Sequence, residues 1–156
     1  MALFLSTFIN KIDKKGRVSV PATFRTALAS ESFPGIIAFR SYKSEAIEAC
    51  GMSRMESLNS SVESFDLFSD THDDLASTIF ADAQQLAFDG EGRIILPELL
   101  LAHAGLEEKV AFVGRGATFQ LWQPERFERY QQEARQRMQQ HPVALRLSAQ
   151  QKDKNI

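Results

Sequence analysis

The chain has 156 residues, 44% of them hydrophobic, and a formal net charge of −2 at pH 7, which excludes a uniformly basic surface. This length suits one domain or two small halves that share a core, and the single cysteine, Cys50, excludes an internal disulfide framework and fits the reducing cytoplasm. No stretch reaches transmembrane length, and residues 1–10 lack the basic start and cleavage site of a signal peptide, so no membrane association is expected.

The first half predicts two strands joined by a tight turn and followed by a helix. Residues 8–12 form the first strand. The turn at 13–16 combines an Asp that can bond its own backbone with a Gly that allows a positive φ. Residues 17–20 return as a strand with alternating valines. Pro21 begins a helix, because a proline in the first helical turn has no N–H to satisfy.

Two further strands are expected in this half, at 36–39 and 46–50. Ser53 and Glu56 have the spacing of a capping box, which predicts the start of a second helix. Residues 66–74 are an acidic segment, interpreted as a linker that runs into a short helix at 75–81.

The second half repeats this plan. Its predicted elements, in order, are a strand at 84–88, a turn at 89–92, a strand at 93–96, a helix from Pro97, strands at 110–113 and 118–122, and a last helix from Pro124.

The strongest feature is a nine-residue phrase that occurs twice. Residues 13–21 read DKKGRVSVP and residues 89–97 read DGEGRIILP, 76 residues apart in the same register. Such self-similarity indicates an internal duplication. It places Arg17 and Arg93 on two equivalent turns.

Charge is unevenly distributed along the chain. Residues 11–40 carry a net +4, residues 41–91 a net −9 and residues 92–156 a net +3. A basic face could therefore meet a polyanion while an acidic face points elsewhere. The alternative is that both faces are simply solvated surface.

The repeated turns are the best candidate for chemistry. The guanidinium of Arg17 or Arg93 presents a planar fork of donors that suits phosphate oxygens or the edge of guanine, and β-ribbons can carry such residues into a DNA groove. Lys14 and Lys15 add positive charge at the first turn. For the two aspartates the alternative is structural, since each can bond its turn amides or its own arginine and lock the hairpin.

No other type of site is supported. The three histidines have no metal-ligand spacing with each other or with Cys50, and no phosphate loop or nucleophile elbow is present. We therefore predict no catalytic residue, metal, cofactor or small-molecule substrate. The histidines are His72, His103 and His141.

The pattern D-x-x-G-R-x-x-x-P, present twice, together with P-A-x-F-R-x-x-L at 21–28, resembles the MraZ family over roughly residues 3–140. The resemblance implies an α+β fold with a mostly β core, built from two tandem AbrB-like units of the double-split β-barrel type with flanking helices. The implied divisions are a first unit at 3–65, a linker and short helix at 66–82, a second unit at 83–140 and a flexible tail at 141–156.

The resemblance also implies a function. MraZ proteins are sequence-specific DNA-binding transcriptional regulators, so we expect a cytoplasmic, nucleoid-associated repressor of the division and cell-wall gene cluster. It would bind double-stranded DNA at direct repeats in its own promoter, as a ring-shaped homo-oligomer. The DNA-binding residues expected on this basis are Asp13, Lys14, Lys15, Arg17, Asp89 and Arg93.

Two further positions bear on the expected interface. Glu91 stands where family members commonly have Gln or Lys, so the second turn is expected to contact DNA more weakly. Arg25 matches a frequent family arginine, with either a DNA or a subunit contact as its role. The alternative function is an antitoxin-type protein-binding module of the same fold, in which residues 141–156 fold on a partner.

Overall fold

A computed structural model of the chain describes residues 2–147. The strands are β1 (Thr7–Lys11), β2 (Arg17–Ser19), β3 (Gly35–Arg40), β4 (Ile47–Cys50), β5 (Gln84–Ala87), β6 (Arg93–Ile95), β7 (Lys109–Gly114) and β8 (Phe119–Trp122). The helices are α1 (Ala22–Ala27), α2 (Met52–Val62), α3 (Asp70–Leu75), α4 (Glu98–Ala104) and α5 (Pro124–Gln140), and a π-helical turn at Ala76–Phe80 continues α3. The predicted α+β class is confirmed, and every predicted strand forms within about two residues of its expected bounds.

The strands of the two halves are interleaved. Six of them form one antiparallel sheet in the order β1-β7-β8-β4-β3-β5, and β2 and β6 form a separate two-stranded ribbon. The first strand of each half therefore pairs with a hairpin of the other half: β1 with β7, and β5 with β3. The central pair, β4 and β8, joins the two hairpins. Neither half completes a sheet from its own strands.

A pseudo-twofold axis relates the halves. In the ribbon, Val18 lies opposite Ile94, which is its counterpart 76 positions later. In the sheet, Glu48 lies opposite Gln120, its counterpart at an offset of 72. The Gln120 amide donates to both carboxylate oxygens of Glu48, at 3.1 and 3.0 Å. Equivalent residues of the two halves therefore lie opposite each other in the ribbon and in the sheet. The pseudo-twofold axis passes between Val18 and Ile94 and between Glu48 and Gln120.

The main core lies between the ribbon and the sheet. The inward residues of the ribbon are aliphatic and almost fully buried, namely Val18, Val20, Ile94 and Leu96. Phe24 of α1 completes this core and contacts other aromatic rings. The π-systems of Phe24 and Phe4 meet edge to face, with centroids 5.3 Å apart. Burial of this apolar surface supplies the main driving force for the fold.

A second apolar cluster covers the opposite side of the first-half strands. It contains Ile37, Phe39, Cys50, Met55 and Ile79, contributed by β3, β4, α2 and the π-helical turn. Burial raises the pKa of the Cys50 thiol to about 12. Cys50 is therefore a packing residue whose thiol stays protonated and unreactive at neutral pH.

The predicted capping box at Ser53 is wrong. The N-cap of α2 is Gly51, which makes no side-chain cap. Instead the carboxylate of Glu31 accepts from the Ser53 amide at 2.8 Å and from the Ser53 hydroxyl at 2.7 Å. A side chain 22 residues away thus performs the capping that local spacing assigned to Glu56.

The predicted linker at 66–74 is also partly wrong, because α3 begins inside it at Asp70. The Ser69 hydroxyl caps this helix by accepting from the His72 amide at 3.1 Å. Asp70 and Asp73 lie in its first turn, where negative charge is favourable. The acidic composition of this segment predicts a solvated linker, but the charge of Asp70 and Asp73 stabilises a helix end.

The described chain forms two compact units, one ending at Pro124 and the other beginning at Glu125. In the second unit, the guanidinium carbon of Arg137 lies 5.8 Å from the ring centroid of Tyr130, within cation–π range. The predicted domain divisions and the flexible tail stay predictions, and residues 148–156 of that tail lie outside the described residues. Within residues 2–147, no helix is long and apolar enough to cross a membrane.

An ion pair joins the end of β3 to the segment before β5. The carboxylate of Asp82 accepts from the Arg40 amide at 2.8 Å and from Arg40 Nη2 at 2.6 Å. These bonds, led by those from the Arg40 side chain, hold the pKa of Asp82 below its ordinary value.

The substitution Asp82→Asn is expected to destabilise the fold by about 1–3 kcal/mol at pH 7, because charge-assisted hydrogen bonds are lost. The folded pKa lies below the unfolded value, so this stabilisation is complete above roughly pH 5 and disappears as the pH falls through the folded pKa. Urea unfolding of both proteins between pH 7 and pH 3 checks this. A stability difference that stays constant down to pH 3 would show that the ionised carboxylate is not its source.

Candidate nucleic-acid interface

The first repeated turn is closed by Asp13. Its backbone carbonyl accepts from the Gly16 amide at 3.0 Å, and its amide donates to the Arg17 carbonyl at 3.0 Å. Its Oδ1 accepts from the amides of Lys15 and Arg17, at 2.9 and 2.8 Å. Gly16 has φ +80°, a conformation that other residues rarely adopt. The hairpin therefore needs both the Asp and the Gly of the motif.

The second turn has the same geometry. Asp89 Oδ1 accepts from the amides of Glu91 and Arg93, at 2.8 and 2.9 Å, and Gly92 has φ +75°. The structural interpretation of Asp13 and Asp89 as residues that lock their hairpins is thus confirmed. A direct contact of either aspartate with DNA stays a prediction.

Each aspartate also holds the arginine of its own turn. Arg17 Nε donates to Asp13 Oδ2 at 2.7 Å, and Arg93 Nε donates to Asp89 Oδ2 at 2.8 Å. The backbone amide of each arginine is the leading cause that lowers the pKa of its aspartate. The hydrogen bond to Asp89 raises the pKa of Arg93. Asp13, Asp89 and Arg93 are therefore charged at neutral pH.

These ion pairs orient each guanidinium in addition to offsetting the charge of its aspartate. The aspartates bond the Nε atoms, and among the described residues no hydrogen bond is made by the Nη atoms of either arginine. The side chains of Arg17 and Arg93 are 34% and 28% exposed. A guanidinium held in this way has little conformational freedom left to lose on binding.

The two arginines lie on one surface. In the ribbon, Arg17 pairs with Ile95 and Ser19 pairs with Arg93. Because Val18 and Ile94 point into the core, these four neighbours project from the opposite, outward face. The structure thus brings together two residues that are 76 positions apart in sequence. The surface formed by β2, β6 and their two turns is called the ribbon face below.

Charge differs between the two ends of the ribbon face. Lys14 and Lys15 are exposed at the first turn, as predicted for a basic tip. At the second turn the Glu91 carboxylate is 75% exposed and lies 3.8 Å from Arg93 Nη2. The first tip is accordingly positive, whereas the second carries an additional negative charge.

Arg25 lies beside the second turn, although it belongs to the first half. Its Nε donates to the Val20 carbonyl at 3.1 Å, and its guanidinium packs against Gly92, where an added Cβ would lie 2.5 Å from Nη1. The counterpart of Arg25 in the second half is Leu101. The family resemblance pointed to Arg25, but the sequence did not show that this residue lies beside the second turn. Only the spatial crossing of the two halves brings it to the turn that has Glu91.

The remaining candidates are not assembled into a site. His103 Nε2 lies 3.1 Å from the Ser44 carbonyl, and the buried ring of His72 lies 3.8 Å from a Glu63 carboxylate oxygen. Over residues 2–147, no three His, Cys, Asp or Glu side chains are placed to hold a metal ion.

Comparisons with known proteins identify the family of this chain. A family model described as "MraZ protein, putative antitoxin-like" matches residues 79–147. The chain is 53% identical over 131 residues to a Rickettsia bellii protein named "Transcriptional regulator MraZ", a match that covers 83% of this chain and 87% of that one. It is 50% and 49% identical over 130 residues, with the same coverage, to proteins of that name from Rickettsia rickettsii and Rickettsia felis. With half of the aligned positions shared over most of both chains, the protein belongs to the MraZ family.

Proposed function

We propose that this protein is a sequence-specific, non-enzymatic DNA-binding transcriptional regulator that reads DNA with the ribbon face. The observation that carries the proposal is the presence of Arg17 and Arg93 on one outward ribbon, each oriented by its own aspartate. The names of the related proteins support the same function.

The shape of the ribbon suits the major groove, which admits a two-stranded β-ribbon. With Nε bonded to aspartate, the terminal nitrogens of each arginine can donate to guanine O6 and N7 or to phosphate oxygens. Lys14 and Lys15 contact phosphates at the first tip, and these contacts fix the position of the ribbon on the duplex. At the second tip Arg25, which packs against Gly92, adds a cation to the turn that carries Glu91.

The finer biological role follows from the family resemblance. The protein acts in the cytoplasm, on the nucleoid, as a repressor that binds direct repeats in its own promoter and controls the division and cell-wall genes. No cofactor is needed. Each half would correspond to one AbrB-like unit, and the crossed pairing of β1 with β7 and of β5 with β3 supports a swapped-hairpin arrangement.

Oligomerisation strengthens binding. One chain offers only a few cationic contacts, which give weak affinity at cellular salt. Several copies reading successive direct repeats would raise the effective concentration at each later site. A closed ring of identical subunits meets this need, since head-to-tail contacts that close leave no open ends.

Titration with DNA across a salt series tests the proposal. The purified protein should bind the region upstream of its own gene more tightly than a shuffled fragment of equal length, and affinity should fall steeply as salt rises, because bound phosphates release counterions. Equal affinity for both fragments at every salt concentration would refute sequence-specific recognition.

The substitution Glu91→Lys is expected to strengthen binding to both fragments alike. It removes a carboxylate from the second tip and adds one cation, which should steepen the salt dependence by about one unit of slope if it contacts one phosphate. Glu56→Lys on α2 changes the charge equally and serves as the control. If the two variants shift binding by the same amount, Glu91 does not face DNA.

The antitoxin-type alternative is favoured by the exposed apolar residues Val143, Leu145 and Leu147 in the C-terminal segment. Deletion of 141–156 separates the two functions. A protein-binding module would lose a co-purifying partner. A regulator that reads DNA with the ribbon face would still bind the upstream fragment more tightly than a shuffled fragment.

A further inference from the structure

The ribbon face carries an exposed apolar side chain beside Arg17. Ile95 is 59% exposed and lies directly opposite Arg17 in the antiparallel pair of β2 and β6. Its Cγ2 atom is 3.8 Å from the position that a Cβ on Gly16 would take, so the side chain lies against the first turn. Removal of this aliphatic group from water on binding would be favourable.

The equivalent position at the second turn has a different character. Ser19 is the counterpart of Ile95, 76 positions earlier in the chain. It is exposed and lies opposite Arg93. The pseudo-twofold axis therefore relates the two arginines but not their neighbours. Arg17 has an aliphatic neighbour, whereas Arg93 has a hydroxyl.

We propose that Ile95 is a specificity-determining residue that contacts the 5-methyl group of a thymine close to the base read by Arg17. This inference rests on the proposed function and adds one base to the sequence that the ribbon face reads. Thymine is the base that presents a methyl group in the major groove, and an apolar side chain recognises it by packing against that group. Ser19 can donate or accept a hydrogen bond, so the second end has no such requirement.

The register of the ribbon limits where that thymine lies. Side chains directly opposite each other on two antiparallel strands have Cβ atoms about 5 Å apart, and successive nucleotides of one DNA strand are about 3.4 Å apart along the helix axis. Ile95 therefore reaches a base one or two steps from the base that Arg17 contacts. The bond from Arg17 Nε to Asp13 Oδ2, 2.7 Å long, holds the arginine in place and gives the two contacts a defined spacing.

Ile95 also has a structural explanation, because β-branched residues favour strands and cross-strand pairs stabilise a ribbon. That role depends on the protein alone. A contact with thymine depends on one methyl group of the DNA. The two roles are therefore separated by changing the DNA while the protein stays the same.

Binding to DNA that lacks thymine methyl groups provides the test. The upstream fragment is prepared once with thymidine and once with deoxyuridine throughout, which preserves the hydrogen-bonding groups of the bases and removes the 5-methyl groups. The wild-type protein should bind the deoxyuridine fragment about fourfold more weakly or worse, the effect expected for one methyl group taken out of water. Ile95→Ser, which makes the two ends of the ribbon alike, should bring the ratio of the two affinities close to one. Ile95→Val keeps a branched aliphatic group and should retain the wild-type ratio.

The matched control is Leu5→Ser. Leu5 is 62% exposed and follows Phe4, whose bridge to Gly116 lies at the end of β1 away from the first turn. This variant also loses an exposed aliphatic group, but outside the ribbon face, and it should keep the wild-type ratio. Circular dichroism and unfolding midpoints establish that each variant is folded.

The outcomes separate this inference from the proposed function. A wild-type protein that does not distinguish the thymidine fragment from a shuffled one would refute sequence-specific recognition, and this inference with it. Specific binding with equal affinity for the thymidine and deoxyuridine fragments would leave the proposed function standing and overturn the role of Ile95. A loss of affinity on deoxyuridine that persists in full in Ile95→Ser would assign the methyl contact to another residue and equally overturn it.

Discussion

Simultaneous replacement of Arg17 and Arg93 by alanine is expected to abolish sequence-specific DNA binding while leaving the protein folded. Each arginine that makes a bidentate base contact contributes about 1–3 kcal/mol of discrimination. The substitution also uncovers the carboxylates of Asp13 and Asp89, which would still hold the turn amides. An unpaired negative charge at each tip would then repel phosphate, so the loss should exceed that of the contacts alone.

Fluorescence anisotropy with the upstream fragment and a shuffled fragment measures this effect. Arg54→Ala on α2 is a control, because it removes a cation away from the ribbon face and should preserve specificity. Arg17→Lys should be intermediate, since an ammonium cannot bond the aspartate and still present a fork to a base. Wild-type specificity in the double alanine variant would exclude the ribbon face as the reading surface.

The substitution Phe24→Ala is expected to cause a large loss of stability. Phe24 is 1% exposed, and its ring centroid lies 5.3 Å from that of Phe4, 5.6 Å from Phe8 and 4.9 Å from Phe119. Removing a ring from such a site forfeits its burial and leaves a cavity, at a cost of about 3–5 kcal/mol.

Chemical denaturation at low protein concentration, where association contributes least, measures this cost. Tyr42→Ala provides the comparison, because Tyr42 is 68% exposed and its removal should change the free energy of unfolding by no more than about 0.5 kcal/mol. A loss at Phe24 far below the usual cost of deleting a buried ring would mean that the core closes around the missing side chain.

Much of the local structure could be predicted from the sequence. The repeated Asp, Gly and Arg predicted two identical turns because each of these residues acts on its near neighbours. The carboxylate bonds amides two and four positions later, and the glycine adopts a positive φ. Alternation of apolar residues located the strands for the same reason. Interactions between residues that are close in sequence can be predicted from local sequence patterns.

The pairing of strands could not be predicted in this way. Periodicity shows which face of β1 is buried but carries no information on its neighbour, which proves to be β7 from the other half. For the same reason the capping of α2 by Glu31 and the packing of Arg25 against Gly92 were missed. Both contacts join residues far apart in the chain, and the second exists only because the halves cross.

In the candidate site, too, the local features could be predicted from the sequence and the long-range ones could not. Sequence patterns supplied Arg17 and Arg93 and the locking role of their aspartates. They did not show that Val18 and Ile94 pair at a pseudo-twofold axis, and this pairing is what places both arginines on a single surface. The residues of the site were visible in the repeat, whereas its shape depended on the long-range fold.

The crossed strands have a consequence for the newly made chain. β1 has to wait for β7, whose first residue is Lys109, so most of the chain must leave the ribosome before the N-terminal strand finds its neighbour. Until then its apolar face and unsatisfied edge are open to chaperones and to other nascent chains. Such distant pairings also close large loops and slow folding. The yield of native protein should therefore depend on expression level and temperature.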